Sequence, residues 1–578
     1  MRGARLAVAA VAGAGGRVRL GLGQAAIFLV PVAFLALAFY FPLLRLFQEG
    51  LVEEGQGRVT FRYLAEIFSE PYFRRVILFT AEQALLSTLL AVAIGLPWAY
   101  IFTRYEFPMK RALRALTLVP FVLPAVTVAL GFILFFGNNG HLNRLLMGLF
   151  GLEEPPLRTL YSLRGIVLAH AFYNAPIVTR MVHAQWERLD PTYEESAQAL
   201  GAGRFRRLVT VTLPLLLPSL MTSAALAFIF CFLSFPIVLA LGGARFSTLE
   251  VQIYTEFIVL FNRRLGSALA IVEVLLSLAF TYGYILLEGH FTRELEAVRP
   301  RPTVKLFSKP TWGRLGLFLF ILASGVVFLG PLASIVYDSF TREWAGRTAL
   351  TLHWYSYIFR PEHEALIGAP PLRTIANSLQ FGLISMALGV LLGLPLAFAL
   401  ARFRFPGRRL FDALVMAPLG VSSVALGAAL LVASLKTPLK AGWLAIPLAH
   451  AILAYPFVIR AVVPVLEGLE RGLVEAARSL GASRFRAFRE IELPLIARAL
   501  LVGAVFAFAI SLGEMSATIM LARPEWKTIP LAINDLRAAR SFGGASAMSV
   551  LLILVTGGAF IVLERFGERL FGGGRWSK

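Results

Sequence analysis

Glu475-Ala476-Ala477-Arg478-Ser479-Leu480-Gly481, followed after nine residues by Ile491-Glu492-Leu493-Pro494, decides how this chain is read, because it occurs twice. Glu195-Ser196-Ala197-Gln198-Ala199-Leu200-Gly201 leads at the same spacing to Val211-Thr212-Leu213-Pro214, and the copies lie 280 positions apart. Each carries an Arg-Phe-Arg, residues 204–206 and 484–486, three residues after its glycine. The spacing predicts a short helix with small residues on one face and glycine at its C-terminal cap. A basic turn follows, then Leu-Pro, with proline tolerated in the first turn of the next helix. The acidic start and basic end suit the helix dipole, and a small-residue face lets another protein's backbone come close. One such loop reads as an ordinary inner-face loop with basic residues. Recurrence in register argues for a surface with a task.

The segments flanking both copies belong in a bilayer. Hydrophobic residues make up 58% of the 578 and charged ones 15%, which excludes an ordinary soluble domain. A bilayer core of about 30 Å takes roughly 20 apolar residues per helix. Twelve spans are expected, near 24–46, 76–102, 115–137, 160–182, 213–241 and 266–288, then 312–338, 374–401, 410–435, 443–465, 494–521 and 547–566. Their length and continuous apolarity, without a period of two, exclude a closed barrel. The net charge of +21 sits mostly in short loops beside apolar spans, so it points to anionic headgroups and topology, not nucleic acid. Cys231 is the sole cysteine, which excludes an intrachain disulfide and a cysteine-based metal site. Residues 1–23 are expected to form a cytoplasmic tail before an uncleaved helix.

The repeat extends beyond the loops. His170 to Arg180 matches His450 to Arg460, again 280 apart, while Gly95-Leu96-Pro97 and Arg104 to Pro108 match Gly393-Leu394-Pro395 and Arg402 to Pro406 at 298. The slip of 18 residues falls between Gly137 and Leu160. The expected fold is therefore an all-α membrane protein of two parallel six-helix repeats, 24–290 and 312–566, joined by a linker at 291–311 and closed by a tail at 567–578. With the N-terminus inside, both repeated loops, 187–212 and 467–493, fall on the cytoplasmic face. Basic residues favour that face, although Arg74, Arg75, Arg263, Arg264, Arg537 and Arg540 lie on the other.

The loops resemble the Glu-Ala-Ala loop of the membrane subunits of ATP-binding-cassette importers: Glu-Ala-Ala, three residues, Gly, nine residues, Ile-x-Leu-Pro. The second copy matches every fixed position, and the first departs at Ser196 and Val211. Together with the duplication and the run from Ser234-Phe235-Pro236 through Leu241-Gly242-Gly243 to residues 248–254, the chain is similar to the fused permeases of iron(III) and thiamine importers. The resemblance covers nearly everything beyond the first ~20 residues. It implies a solute-binding protein outside and two ATPase subunits inside. The subunits would dock on Glu195, Ala199, Gly201 and Arg204 in one copy and Glu475, Ala476, Gly481 and Arg484 in the other. No Gly-x-x-x-x-Gly-Lys-Ser/Thr, no His-Glu-x-x-His and no cysteine pair occurs, so no catalytic residue, cofactor or metal site is expected, and ATP hydrolysis would fall to separate subunits. Twelve spans in two parallel halves also describe an ion-coupled secondary transporter. A membrane-embedded enzyme would need an intramembrane catalytic cluster, and only isolated charges are found.

Ionisable groups inside spans are costly, about 2.5–3.5 kcal/mol at mid-bilayer on insertion scales. Glu514, beside Gly513, is the leading candidate for the translocation pathway, and its counterpart 280 earlier is Ser234. Phe235 and Asn174 are weaker candidates. His170 and His450, each six residues before a proline, are expected to make structural hydrogen bonds near a helix break. Glu82 is expected to make a structural hydrogen bond, and Glu273 a bundle contact or a snorkelling one. Cargo stays open between iron(III), thiamine and another small solute.

Overall fold

The structure, a computed structural model, describes residues 22–53, 58–114, 117, 123–243, 245–291, 304–305, 312–344, 347–360, 367–403, 405–436 and 442–571. Among them ten helices are long and apolar enough to cross a bilayer, or eleven if Arg408–Gly420 and Ser423–Leu435, bent by 98°, make one span. In chain order these ten, the second arm of the bent pair (α9) and one further helix are α1 (Phe28–Leu51), α2 (Pro71–Arg104), α3 (Ala125–Phe150), α4 (Leu163–Arg188), α5 (Arg204–Phe232), α6 (Arg263–Phe291), α7 (Leu315–Phe340), α8 (Pro371–Arg402), α9 (Ser423–Lys436), α10 (Ala445–Gly468), α11 (Arg484–Gly513) and α12 (Phe542–Phe571). The further helix is α4. It runs unbroken for 26 residues, but Arg164, His170, Asn174, Arg180 and His183 make it more polar than its counterpart α10, which passes as a span. Sheet is confined to a parallel pairing of Tyr105–Glu106 with Val304–Lys305 and one hairpin, Thr341–Trp344 with Arg347–Leu350, among the described residues.

Four expected spans are not continuous helices. The third begins only at Ala125, capped by Pro124, and its counterpart in the second half bends sharply between Gly420 and Ser423. The fifth, expected over 213–241, ends at Phe232 and resumes as Pro236–Leu241. The eleventh, expected over 494–521, ends at Gly513 and resumes as Ser516–Leu521. Continuous apolarity hid these breaks, because a proline or a buried carboxylate can end a helix inside a protein core as long as neighbours satisfy the freed backbone groups. The polypeptide then turns back through Leu249–Tyr254 or Ile529–Ala538 before α6 or α12. Helix α12 also extends to Phe571, beyond the expected edge at 566. Most of the linker and residues 1–21 lie outside the described residues.

Within each half the long second helix packs against the fourth at a small residue. A Cβ on Gly95 would sit 2.7 Å from Val178 Cβ, and one on Gly393 would sit 2.8 Å from Val458 Cβ, so both repeats bring two backbones into close approach at the same place. Each half's first helix reaches across to the other half. On α1, Tyr40 Oη donates to Leu414 O at 2.7 Å and Phe28 meets Phe403 edge-on at 5.3 Å. On α7, Phe328 stacks on Phe172 at 5.2 Å and Phe320 lies 5.7 Å from Trp98. The repeated loops share one end of the bundle. Six crossings separate them, and contacts between chain-distant segments sort by end: Arg104 with Glu194 and Arg402 with Glu492 at the loop end, His141 with Asp338 and Arg144 with Glu343 at the other.

Candidate functional site

Two short helices, Pro191–Ala199 and Arg471–Ser479, carry the repeated motif on the surface. The first is capped by Asp190, whose Oδ1 accepts from Thr192 N at 2.9 Å. Both end the same way. Ala202 N donates to Ala197 O and Gly201 N to Gln198 O, at 3.0 and 2.9 Å. In the second copy Ala482 N donates to Ala477 O and Gly481 N to Arg478 O, both at 3.0 Å. This double bond pattern needs a left-handed residue after the cap, and Gly201 and Gly481 supply φ of +83° and +88°. Each Arg-Phe-Arg then forms one helical turn, followed by a π-helical turn at Leu208–Thr212 or Phe488–Glu492 that runs into the next long helix.

The loops expose apolar side chains in matching places. Leu200 and Leu480 are 88% and 89% exposed, and Phe205 and Phe485 are 78% and 70% exposed. Glu195, Ala199, Arg204, Glu475, Ala476 and Arg484 are exposed as well. Beneath this surface each loop is tied to the end of a long helix. Arg104, the last residue of α2, pairs with buried Glu194, which accepts from Thr212 Oγ1 at 2.7 Å. Arg402, the last residue of α8, pairs with Glu492 at 3.3 Å. Two further pairs repeat the pattern: Arg114 with Glu187 at 3.7 Å and Arg408 with Glu467 at 3.5 Å.

The two helix breaks form the second cluster of polar groups. In the first half, Ser234 sits in the break with its Oγ 2.8 Å from His170 Nε2, while His170 Nδ1 lies 3.4 Å from Ser87 Oγ. Gln83 Nε2 donates at 2.9 Å to the carbonyl of Cys231, near the end of α5. In the second half Glu514 turns back onto the helix that follows it. Its carboxylate accepts from Ala517 N at 3.0 Å, Thr518 N at 3.1 Å and Thr518 Oγ1 at 3.0 Å, and lies 3.3 Å from His450 Nε2. His450 Nδ1 meets Ser511 Oγ at 2.7 Å, and Ser511 donates to Ser385, the counterpart of Ser87, at 3.3 Å. The expected histidine hydrogen bonds are therefore present in both halves. Asn174 is buried next to the first break, donating to His170 O at 2.9 Å and to Cys231 Sγ at 3.3 Å, and Phe235 packs against Tyr254 at 5.4 Å.

The duplication seen in the sequence has a match among known proteins. The profile of the "Binding-protein-dependent transport system inner membrane component" family fits residues 91–295 and again 389–571. The chain belongs to that family. Its relatives include the thiamine transport system permease protein ThiP of Brucella abortus, 27% identical over 84% of this chain and 86% of that protein. ThiP of Escherichia coli is 25% identical over 84% of this chain and 88% of that protein. The ferric transport system permease protein FbpB of Actinobacillus pleuropneumoniae is 26% identical over 85% of this chain and 71% of that protein. The protein is thus a multi-pass inner-membrane permease component, and the importer resemblance read from the loops holds.

Several expectations about this permease's single residues need correction or addition. Glu82 is exposed and makes no hydrogen bond among the described residues; its neighbour Gln83 makes the buried contact instead. Glu273 does not snorkel: it is fully buried within the bundle, as is Glu250, and Ser422 is the hydroxyl nearest to both carboxyls among the described residues. Arg104, Arg402, Glu194 and Glu492 were not singled out as a site. The arginines recur at the 298 spacing, which was a usable signal, but their acids do not recur, so the pairing was invisible to the repeat. Among the described residues no group of three metal-ligating side chains could hold an ion.

Proposed function

We propose that this permease passes thiamine or iron(III) from an extracytoplasmic solute-binding protein into the cytoplasm, driven by two separate ATPase subunits docked on Pro191–Ala199 and Arg471–Ser479 with their basic turns. The observation carrying this reading is the matched exposure of Leu200 and Phe205 with Leu480 and Phe485 on one end of the bundle. Paired apolar side chains ringed by arginines on a surface outside the bilayer suit burial against a partner. The small residues and the left-handed glycine let that partner's backbone come near. The cargo follows the named transport systems of the relatives, and the helix break in each half supplies non-helical backbone within a span, which is tolerated only in protein or along a cavity.

The test is co-purification with a candidate ATPase subunit from the same organism. A double variant, Gly201→Asp with Gly481→Asp, is expected to insert in the membrane normally and to lose the ATPase. Full ATPase retention and transport in that variant would overturn the docking assignment, as would uptake that survives without the ATPase and collapses with a protonophore. Stimulation of ATP hydrolysis by binding protein loaded with thiamine, compared with binding protein loaded with ferric iron, decides cargo.

A further inference from the structure

We propose that Arg104 and Arg402 are positioning residues that clamp the two surface loops to the ends of α2 and α8, so that force applied to a loop moves a second membrane helix besides the one it runs into. The proposal rests on the docking reading above. Chain continuity already ties each loop to α5 or α11 through the π-helical turn. Nothing in continuity ties it to α2 or α8. The arginine at the end of each of those helices provides the connection.

The two halves build this clamp from different parts. In the first, the acid is Glu194 on the loop helix, and Thr212 at the end of the π-helical turn donates to it at 2.7 Å, so three elements meet at one carboxylate. Position 474, the counterpart of Glu194, is Val, and position 492, the counterpart of Thr212, is Glu. The second half has therefore moved its carboxylate from one wall of the loop to the other and still meets Arg402, at 3.3 Å. A chance surface ion pair contributes little and is readily screened. Here the side chains of Glu194, Arg402 and Glu492 are only 9%, 15% and 14% exposed, where charge-assisted bonds are stronger and salt screens less. Two copies of one repeat that reach equivalent guanidinium groups, Arg104 and Arg402, by different acids point to the contact itself as what matters. Among the described residues Arg402 Nε is buried without a hydrogen-bond partner, so the second site has a donor left for an acid arriving from position 474.

The exchange supplies the experiment. The full permease with its ATPase is reconstituted in liposomes with whichever loaded binding protein, thiamine or ferric iron, stimulates the unaltered complex. Glu492→Gln is expected to keep the ATPase bound and hydrolysing while solute moved per ATP falls roughly tenfold. Glu492→Thr should behave alike, and adding Val474→Glu to it should rebuild the first-half arrangement and restore at least about a third of the coupling. A merely structural role moves folding and yield but not the ratio of solute to ATP. Unchanged coupling in Glu492→Gln overturns the clamp. So does a Val474→Glu/Glu492→Thr protein that folds and binds ATPase but couples no better than Glu492→Thr alone. Loss of ATPase binding in Glu492→Gln would also overturn it, by assigning Glu492 to the docking surface. Failure of the docking reading itself shows separately, as ATPase retained by the Gly201→Asp/Gly481→Asp variant.

Discussion

Glu514 shows how a single side chain can serve a helix break. A carboxylate in a membrane interior needs partners, and this one has two backbone N–H groups, one hydroxyl and an imidazole within 3.3 Å. The N–H groups belong to the first turn of Ser516–Leu521, where a helix has donors without intrahelical acceptors. Glu514→Ala strips all of them at once and is expected to lower stability by about 3 kcal/mol, the scale of breaking a buried pair. His450→Ala should cost less, because Ser511 and Thr518 keep other partners in Ser385 and Glu514. The double variant should fall short of the sum by at least about 0.5 kcal/mol if the two residues act as one unit. Unfolding midpoints of the purified protein in detergent measure all three, and strict additivity would show that Glu514 and His450 act apart. The sequence made Glu514 conspicuous as a lone acid beside glycine within an apolar run. It could not show where the acid pointed, because the donors it accepts from lie three and four residues ahead in a helix that pattern alone merges with α11. Ser234, its counterpart, was legible only through the repeat, and its partner His170 only as a recurring histidine. Glu250 entered only as one letter of the run at 248–254 and Gln83 gave no signal at all, since one acid or amide in an apolar stretch looks the same whether it faces lipid, a neighbour or a pore.

At the scale of elements, what could be read depended on whether a feature was local. The loop helices, their glycine caps and the basic turns were legible because capping is written in adjacent residues. The π-helical turns at Leu208–Thr212 and Phe488–Glu492 were not, because one extra residue in a turn leaves no compositional trace. The same holds for the breaks in α5 and α11, where apolarity runs straight through the interruption. Local legibility gives a sharp expectation for the caps. At φ of +83° and +88° a residue with a β-branched side chain is strained, whereas asparagine adopts the left-handed region more readily. A Cβ at either glycine meets nothing within 4 Å among the described residues, so backbone strain alone separates the substitutions. Gly481→Asn should therefore keep most ATPase binding, and Gly481→Val should weaken it by roughly fivefold or more, at a strain of 1–2 kcal/mol per left-handed residue. Co-purification yield against a fixed ATPase concentration measures the difference. Equal losses in both variants would locate the glycine's importance in the missing side chain and not in the cap.

At the scale of the whole molecule, the two halves hold one another by exchanging their first helices. The duplication predicted two parallel units, and parallel units in a membrane gain little from apolar contact with each other, since lipid is as apolar as a leucine side chain. What joins them is shape and hydrogen bonding: Phe328 and Phe320 of α7 against Phe172 and Trp98, Tyr40 of α1 on Leu414 O, and Ser277 on Gly420 O at 2.7 Å. None of these needs the linker. If they suffice, cutting the chain between Pro300 and Arg301 and expressing both pieces together should yield a complex in which a tag on one piece retrieves the other. Removing residues 301–340 from the second piece takes away α7 and its aromatic contacts, and retrieval should then fall by roughly tenfold, the effect of 1.4 kcal/mol in association. Phe328→Ala alone tests the same face more gently, since it leaves the helix and removes one stacked ring at 5.2 Å, a contact worth about 0.5–1.5 kcal/mol beyond its area. Retrieval of the second piece without α7 at the full level would mean that the exchanged helices decorate an interface held elsewhere, at Ser277 and the α9 region. Loss of retrieval even for the intact pieces would make the linker itself part of the joint.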